Sequence, residues 1–157
     1  GELLISGATV FDGYFSHSNE DVFSADGYFR TGDLVEICGD GNRFYRIVGR
    51  CKDIINRGGV KLSPSELDGL LEGALGLAEA AVCAYADEDL GEKVCACVVP
   101  LEDAEPPTLE TVREHLSSKG VARFKLPERL EVFAALPRNP LGKVMRNVLR
   151  EQVESRG

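Results

Sequence analysis

The sequence predicts an α/β (α+β) fold: a small domain with a short mixed sheet flanked by helices, preceded by a mostly β segment. Beyond residue 52, strand-like runs alternate with helix signals, which is typical of a small α/β sandwich. Before it, short alternating runs are separated by glycine-rich turns, which predicts strands. A hydrophobic fraction of 43% and a charged fraction of 28% fit a globular protein. The polar stretch 49–53 predicts the boundary, with domains at 1–51 and 52–157.

The first domain contains three predicted strands. Leu3–Ser6 is the first, and the polar stretch Ser16–Ser24 suits a loop or a short helix. Alternating runs at Asp33–Cys38 and Arg43–Val48 flank Gly39–Asn42. Because glycine and asparagine tolerate positive φ, this spacing predicts a β-hairpin.

The second domain begins with a predicted glycine turn and a helix. Asn56–Gly59 separates two short apolar runs and predicts a tight turn. Ser63 at the N-cap, Pro64 at the first helical position and Glu66 at the third predict a helix start. The apolar stripe of that helix consists of Leu67, Leu70, Leu71 and Leu75.

Further strands and helices follow in alternation. Strand-like runs at Ala80–Tyr85 and Lys93–Val99 are joined by an acidic turn, and Arg129–Phe133 is a third strand. Pro106-Pro107-Thr108 opens a helix, and Val144–Val153 predicts an amphipathic helix at the end of the chain. The residues expected on the inner faces of these two helices are Leu109, Val112 and Leu116, then Val144 and Val148 with Leu149 as a third candidate.

Composition and charge exclude several classes of function. A formal net charge of −8 disfavours nucleic-acid binding as the main role. No apolar run is long enough to span a membrane, and the start lacks a signal-peptide pattern. The only methionine is Met145, so we interpret the chain as a piece of a longer protein.

The cysteines and histidines predict no metal site. The chain has 5 cysteines, no C-x-x-C pair, and three cysteines in apolar runs, so we expect free thiols and a reducing, cytoplasmic compartment. His17 and His115 lie on polar stretches without a further ligand nearby, which also leaves no basis for a Ser/His/Asp triad.

Three motifs in register resemble those of the adenylate-forming synthetases. Tyr28–Asp33 resembles that family's Y-x-R-T-G-D motif, Gly49–Glu66 its hinge motif, and Pro137–Lys143 its C-terminal lysine loop. The family comprises acyl-CoA ligases, aryl-acid adenylating enzymes, peptide-synthetase adenylation domains and luciferases. The resemblance implies that residues 1–51 end a large N-terminal domain, absent here, and that 52–157 form a lid domain.

The resemblance also implies a two-step reaction. A carboxylic acid attacks Mg-ATP to give an acyl-adenylate, and the thiol of CoA or of a carrier protein then takes the acyl group. The lid rotates between the two steps. ATP, Mg²⁺ and CoA are therefore the expected cofactors and co-substrates, with Mg²⁺ bound mainly by the absent domain.

By resemblance, four residues act in adenylation and lid rotation. Asp33 matches the ribose-binding aspartate, whose carboxylate accepts hydrogen bonds from vicinal hydroxyls. Arg50 matches an arginine that contacts the nucleotide, and Lys52 falls at the hinge position. Lys143 matches the adenylation lysine, and a context for its acetylation is also present. The unremarkable alternatives are a strand-start cap for Asp33 and a surface salt bridge for Arg50.

A second set of residues matches the thiol-binding side of the lid. Gly58 and Gly59 match the loop that lines the pantetheine tunnel, and the rival interpretation, a plain β-turn, is compatible with that role. Lys61 and Arg57 are candidates for contacts with CoA phosphates, or else exposed strand charges.

The motifs leave two subgroups open. We favour a CoA ligase for medium-chain or alicyclic acids, in fatty-acid metabolism, on its greater abundance. The alternative is an aryl-acid adenylating enzyme that loads a carrier protein. As a third hypothesis, the isolated fragment is an inactive lid or binding module.

Overall fold

The computed structural model describes residues 1–15, 21–42 and 44–157. By its contacts the chain divides into two compact units, Gly1–Lys52 and Asp53–Gly157. The predicted mixed α/β fold class is confirmed. The assignment of the two units to a large domain and a lid stays a prediction.

The first unit contains one antiparallel sheet of three strands. Its strands are β1 (Glu2–Ile5), β2 (Phe29–Cys38) and β3 (Phe44–Arg50), in the order β1-β2-β3. The predicted hairpin is confirmed, because β2 and β3 pair from Asp33↔Arg50 to Cys38↔Phe44. Its turn contains a short 3-10 helix, Asp40–Asn42, and both Gly39 and Gly41 have positive φ. His17, Arg43 and most of the predicted loop Ser16–Ser24 lie outside the described residues.

The second unit contains a mixed sheet of five strands. Two short strands, β4 (Ile55–Arg57) and β5 (Val60–Leu62), form the predicted hairpin around the glycine turn. Two long strands, β6 (Leu77–Asp87) and β7 (Gly91–Pro100), pair antiparallel, and β6 is the last strand in the sheet order. The last strand, β8 (Arg129–Val132), pairs in parallel with β7. The order is β5-β4-β7-β6, with β8 also on β7.

Helices cover both faces of this sheet. On one face, α1 (Pro64–Leu71) and α2 (Leu109–Ser118) pack against alternate residues of β6 and β7, including Val82 and Val94. On the other, α3 (Arg146–Glu154) packs against the remaining ones, including Cys83 and Cys97. Because both faces are covered, the two long strands β6 and β7 are nearly continuous apolar runs in the sequence. None of the described helices is long and apolar enough to cross a membrane.

The cysteines of β6 and β7 are buried free thiols, as predicted. The Sγ atom of Cys97 lies 3.8 Å from that of Cys83 and 3.9 Å from that of Cys95. Contact with Cys83 raises the pKa of the Cys95 and Cys97 thiols, and burial contributes in the same direction. These two side chains therefore act as small apolar residues of the core.

Two helix predictions are wrong in detail. The first helix ends at Leu71, and Leu75 lies beyond it with φ 55°, in a turn bounded by Gly73 and Gly76. Leu75 still packs against the core, which explains why it continued the apolar stripe. In α3, Leu149 and Val153 are the buried residues. This helix begins at Arg146 and not at Val144. The predicted inward residue Leu149 is confirmed, and Val144 precedes the helix but still packs, half-buried, against the core.

The helix starts follow the predicted residues, with one difference. Thr108 accepts a hydrogen bond from Thr111 N at 3.2 Å and caps α2. Ser63 and Pro64 occupy the expected positions in α1, but the Glu66 carboxylate binds Lys125 Nζ at 2.7 Å instead of completing a capping box.

We expect Leu71→Ala to lower the free energy of unfolding of the second unit by about 2–5 kcal/mol, because its side chain is fully buried (0% exposed) under α1. Chemical denaturation followed by circular dichroism measures the change. Leu101→Ala removes an exposed leucine and should change it by less than about 0.5 kcal/mol. Equal effects of the two substitutions would contradict this core assignment.

Candidate functional site

Asp33 and Arg50 form an ion pair across two strands of the first unit. They are direct register partners on β2 and β3. Arg50 Nε lies 2.9 Å from Asp33 Oδ1, and the two side chains remain 56% and 30% exposed. An exposed pair of this kind adds little to stability. Because both side chains stay partly exposed, the Asp33 carboxylate and the Arg50 guanidinium are accessible to a polar ligand.

The backbone around Asp33 is held by neighbouring residues of the motif. Thr31 Oγ1 donates to Leu3 O at 2.8 Å and accepts from Asp33 N at 3.1 Å. Gly32 has φ 72°, a left-handed conformation that favours glycine, and its N–H donates to Glu2 Oε1 at 3.2 Å. The Thr-Gly-Asp sequence thus fixes the part of β2 that presents the Asp33 carboxylate, which lies inside the strand and not at its start.

Lys143 lies at the end of a loop organised by Asn139. Asn139 Oδ1 accepts hydrogen bonds from Leu141 N at 3.0 Å and from Lys143 N at 2.9 Å. The backbone of Asn139 also donates to Lys143 O at 2.9 Å and accepts from Gly142 N at 2.9 Å. Gly142 takes φ 79°, which the tight turn requires. Both backbone polar groups of Lys143 are therefore fixed.

Arg138 attaches this loop to the sheet of the second unit. Its guanidinium binds the Glu79 carboxylate on β6 and donates to Gly142 O at 2.5 Å. The Lys143 side chain is exposed, and its Nζ has no hydrogen-bond or ion-pair partner within residues 1–15, 21–42 and 44–157. The loop therefore presents a free ammonium group on a fixed backbone.

Lys52 lies in a single 3-10 turn, Cys51–Asp53, between β3 and β4. The boundary between the two units falls directly after it. Its side chain is exposed. The hinge hypothesis therefore depends on the backbone angles of Lys52 and not on contacts of its side chain. Short turns at element ends are typical places for hinge residues.

The turn at Gly58 and Gly59 has the geometry of a tight β-hairpin. Their φ values are 56° and 86°, and two positive φ angles are what a type I′ turn needs. Gly58 N donates to Leu90 O at 2.8 Å. A Cβ atom at Gly58 would lie 3.1 Å from Leu90 Cδ2, whereas one at Gly59 would have no heavy atom within 4 Å. The β-turn interpretation is sufficient for both glycines, and Gly59 presents an open face.

The two basic residues beside this turn differ. Lys61 is exposed on β5. Arg57 uses its guanidinium to bind Glu128, with an Nη2–Oε1 distance of 2.5 Å. Arg57 thus links β4 to the segment before β8, whereas the exposed ammonium group of Lys61 forms no ion pair with the residues that the structure describes.

The candidate residues fall into separate groups. Asp33 and Arg50 lie together in the first unit. In the second unit, the Lys143 loop contacts Glu79 near the start of β6, and Gly58 contacts Leu90 just beyond its end. At a rise of about 3.3 Å per residue, these two ends of β6 are about 25 Å apart. The Lys143 loop and the glycine turn are therefore held toward opposite ends of β6.

The residues present fit a nucleotide better than a metal ion. Among the described residues, no three His, Cys, Asp or Glu side chains could hold a metal ion together. Within the first unit, the carboxylate of Asp33 can accept hydrogen bonds from vicinal hydroxyls, and the guanidinium of Arg50 can bind a phosphate oxygen.

Several residues that shape the site were not predicted from the sequence. Glu2 and Glu79 hold the Asp33 and Lys143 segments from strands far away along the chain, and no local pattern indicates such contacts. Asn139 had a usable signal, because an asparagine before Pro-Leu-Gly is typical of a turn closed by its own side chain. Arg146 and Asp53 form a further network that is described below.

Comparisons with known proteins agree with the motifs. Residues 66–143 match the family described as "AMP-binding enzyme C-terminal domain". The chain is 42% identical over 158 residues to a Streptomyces protein named salicylyl-CoA synthase / salicylate adenylyltransferase, covering 99% of the chain and 28% of that relative. It is 34% identical to 2,3-dihydroxybenzoate-AMP ligase of Bacillus subtilis, covering 99% of the chain and 29% of the relative.

Solved structures give the same assignment. ATP-bound MatB from Rhodopseudomonas palustris superposes with a TM-score of 0.86 at 35% identity, covering 98% of this chain and 30% of that one. The chain thus spans less than a third of the length of the proteins it matches. It belongs to the adenylate-forming (AMP-binding) ligase superfamily and contains that superfamily's C-terminal domain.

Proposed function

We propose that the whole protein is an ATP-dependent acid–CoA ligase that makes an acyl-adenylate and then a thioester. The observation that carries this proposal is the exposed Lys143 ammonium group, which is unpaired among the described residues, on a loop whose backbone is fixed by Asn139. A cation held in this way is suited to meet charge that develops on a reacting phosphate. The relatives are adenylate-forming ligases, which supports this use.

Asp33 and Arg50 would bind the nucleotide. The Asp33 carboxylate accepts hydrogen bonds from the two ribose hydroxyls, and its Oδ1 stays oriented by Arg50 at 2.9 Å. The Arg50 guanidinium is more than half exposed and can reach a phosphate oxygen at the same time. The pair would thus position ATP from its ribose.

Lys143 would act in the first step. A carboxylate oxygen of the acid attacks the α-phosphorus of ATP, and the bond to the bridging oxygen of pyrophosphate breaks. Negative charge is concentrated on the phosphoryl oxygens in the transition state. An ammonium group delivered into a site that excludes water stabilises this charge more than it stabilises the substrates.

The glycine turn would act in the second step. The thiol attacks the acyl carbonyl, and the bond to the phosphate oxygen of AMP breaks as the thioester forms. Because the Lys143 loop and the glycine turn are held near opposite ends of β6, which are about 25 Å apart, we infer that one active site meets both in turn only if the second unit changes its orientation. We assign the pivot to Lys52, at the boundary between the two units.

The acid and the thiol acceptor are the finer part of the proposal. Two of the curated relatives are named for salicylate and 2,3-dihydroxybenzoate, which favours an aryl acid over the medium-chain or alicyclic acids of fatty-acid metabolism. The name salicylyl-CoA synthase favours CoA as the acceptor. The alternative is an aryl-acid adenylating enzyme that loads a carrier protein, in keeping with the AMP-ligase name of the other relative.

A pair of assays on the full-length enzyme tests the proposal. ATP–pyrophosphate exchange with a panel of acids identifies the acid, and CoA and a holo carrier protein are then compared as acceptors. We expect exchange that depends on an aryl acid, and thioester formation with CoA. Thioester formation with the carrier protein alone would favour the alternative, and no exchange with any acid would contradict both. The isolated 157-residue chain should release no pyrophosphate, because Asp33, Arg50 and Lys143 alone do not make up a complete active site.

We propose the cytoplasm as the compartment. Five free cysteines without a disulfide suit a reducing environment. Acetylation of Lys143 would remove its positive charge and with it the first step.

A further inference from the structure

Arg146 lies at the start of α3, just beyond the Lys143 loop, and makes three contacts inside the second unit. Its Nη2 donates to Asp68 Oδ2 at 2.5 Å, and its Nη1 donates to Val82 O at 2.7 Å. Its Nε lies 3.3 Å from Asp53 Oδ2. The arginine side chain is only 18% exposed. One guanidinium thus joins a turn, a helix and a strand.

The partners of Arg146 connect the predicted hinge to the sheet. Asp53 directly follows Lys52 and is the first residue of the second unit. Asp68 lies on α1, and its Oδ1 accepts from Val82 N at 2.7 Å. The network therefore begins beside the pivot, crosses α1 and β6, and ends at the base of the Lys143 loop.

The network is costly for the fold. Burial raises the pKa of the Asp68 carboxyl, even though hydrogen bonds from Arg146 and Val82 N act in the opposite direction. Partly buried ion pairs seldom stabilise a protein more than apolar residues of similar size would, and they are often associated with a unique geometry. A geometric role for Arg146 is consistent with this cost.

We propose that Arg146 is a positioning residue for Lys143, which ties the Lys143 loop to the hinge through Asp53. The inference rests on the proposed function, in which rotation about Lys52 delivers the Lys143 ammonium to the α-phosphate. Arg138 holds the other end of the loop on Glu79, so the two arginines fix it from both sides. Reacting groups must be held within about 0.5 Å of the productive position. If the contacts beside the pivot were lost, the Lys143 ammonium group would be displaced further from its productive position.

Lysine cannot replace arginine here. The planar guanidinium reaches Asp53, Asp68 and Val82 O with three different nitrogen atoms. A lysine ammonium is a point charge on a flexible chain and cannot hold the same three acceptors in that fork. Arg146→Lys therefore keeps the positive charge and loses the three-way hydrogen bonding. The substitution thus separates a role of the charge from a role of the geometry.

The test compares the two half-reactions in the full-length enzyme. For Arg146→Lys and Arg146→Gln we expect kcat of ATP–pyrophosphate exchange to fall about 10- to 100-fold, with KM for ATP changed less than about threefold. Thioester formation from supplied acyl-adenylate should stay within about threefold of wild type, because the glycine turn is held by β4, β5 and Leu90 instead. Thermal unfolding of each variant is recorded alongside.

Arg150→Gln is the matched control. Arg150 lies on the same helix and forms ion pairs with Glu92 and Glu154, with side-chain exposure of 38%, but it contacts neither the hinge nor the loop. Both half-reactions of this variant should match wild type.

A double variant gives an independent readout. If Arg146 acts through Lys143, then Lys143→Ala with Arg146→Gln should be no slower in adenylation than Lys143→Ala alone. Multiplied defects, an equal fall in both half-reactions, or an unchanged exchange rate would each overturn the inference. If Arg146→Gln does not fold, Asp53→Asn is used instead, because it removes only the ion pair between Asp53 and Arg146. The same changes in the two half-reactions are expected for it. A wild-type enzyme without exchange overturns the proposed function, whereas an active wild type with an unaffected Arg146→Gln overturns this inference alone.

Discussion

Lys143→Ala in the full-length enzyme should abolish acyl-adenylate formation and largely spare thioester formation from supplied acyl-adenylate. Removing one preorganised group that stabilises transition-state charge typically lowers kcat about 10²- to 10³-fold, and a full cation in a closed site belongs at the upper end of that range. In the proposed second step the bond that breaks joins the acyl carbon to a phosphate oxygen, with no substitution at phosphorus, and the group assigned to that step is the glycine turn at the opposite end of β6. The two half-reactions should therefore respond very differently.

The measurement is ATP–pyrophosphate exchange against thioester formation at saturating substrates. Lys119→Ala removes another exposed lysine of the second unit, at the end of α2, and should leave both rates unchanged. Lys143→Arg keeps the charge but changes its shape and reach, so partial exchange activity is expected. Equal losses in both half-reactions of Lys143→Ala would assign the residue to the structure of the loop and not to adenylation.

Local signals were sufficient for most elements of the fold. The hairpin turns were predictable because only a few residue types adopt positive φ, and Gly39, Gly41, Gly58 and Gly59 all do so. Thr108 was predictable as a helix cap because its hydroxyl satisfies a backbone N–H three residues later. Each of these features depends on residues that are neighbours in the sequence.

Features that depend on distant residues were not predictable. Leu75 continued the helical stripe, yet two flanking glycines place it in a turn, where it still reaches the core. Glu79 and Arg138 are 59 residues apart, and Asp68 and Arg146 are 78 apart, so no periodicity indicates that they pair. For the candidate site, the resemblance of the motifs predicts which groups contact the ligand, and that assignment stays a prediction. The residues that hold those groups became visible only with the fold.

Lys52→Pro should selectively remove the second half-reaction. Rotation of the second unit requires a change of φ and ψ at the pivot, and proline fixes φ near −65°. Proline also restricts the residue before it, here Cys51, which lies in the same 3-10 turn. One of the two orientations is then excluded at a cost of about 3 kcal/mol, or roughly a 100-fold loss, while the adenylation orientation remains.

The control separates the backbone effect from loss of the side chain. Lys52→Ala removes the exposed ammonium group and leaves φ free, so the ratio of the two half-reaction rates should stay near that of wild type. Rapid-quench measurement of acyl-adenylate and thioester in one turnover resolves the two steps, and Lys52→Pro should accumulate the adenylate. Normal overall turnover of Lys52→Pro would refute the hinge assignment, because a backbone locked at this residue cannot serve as the pivot.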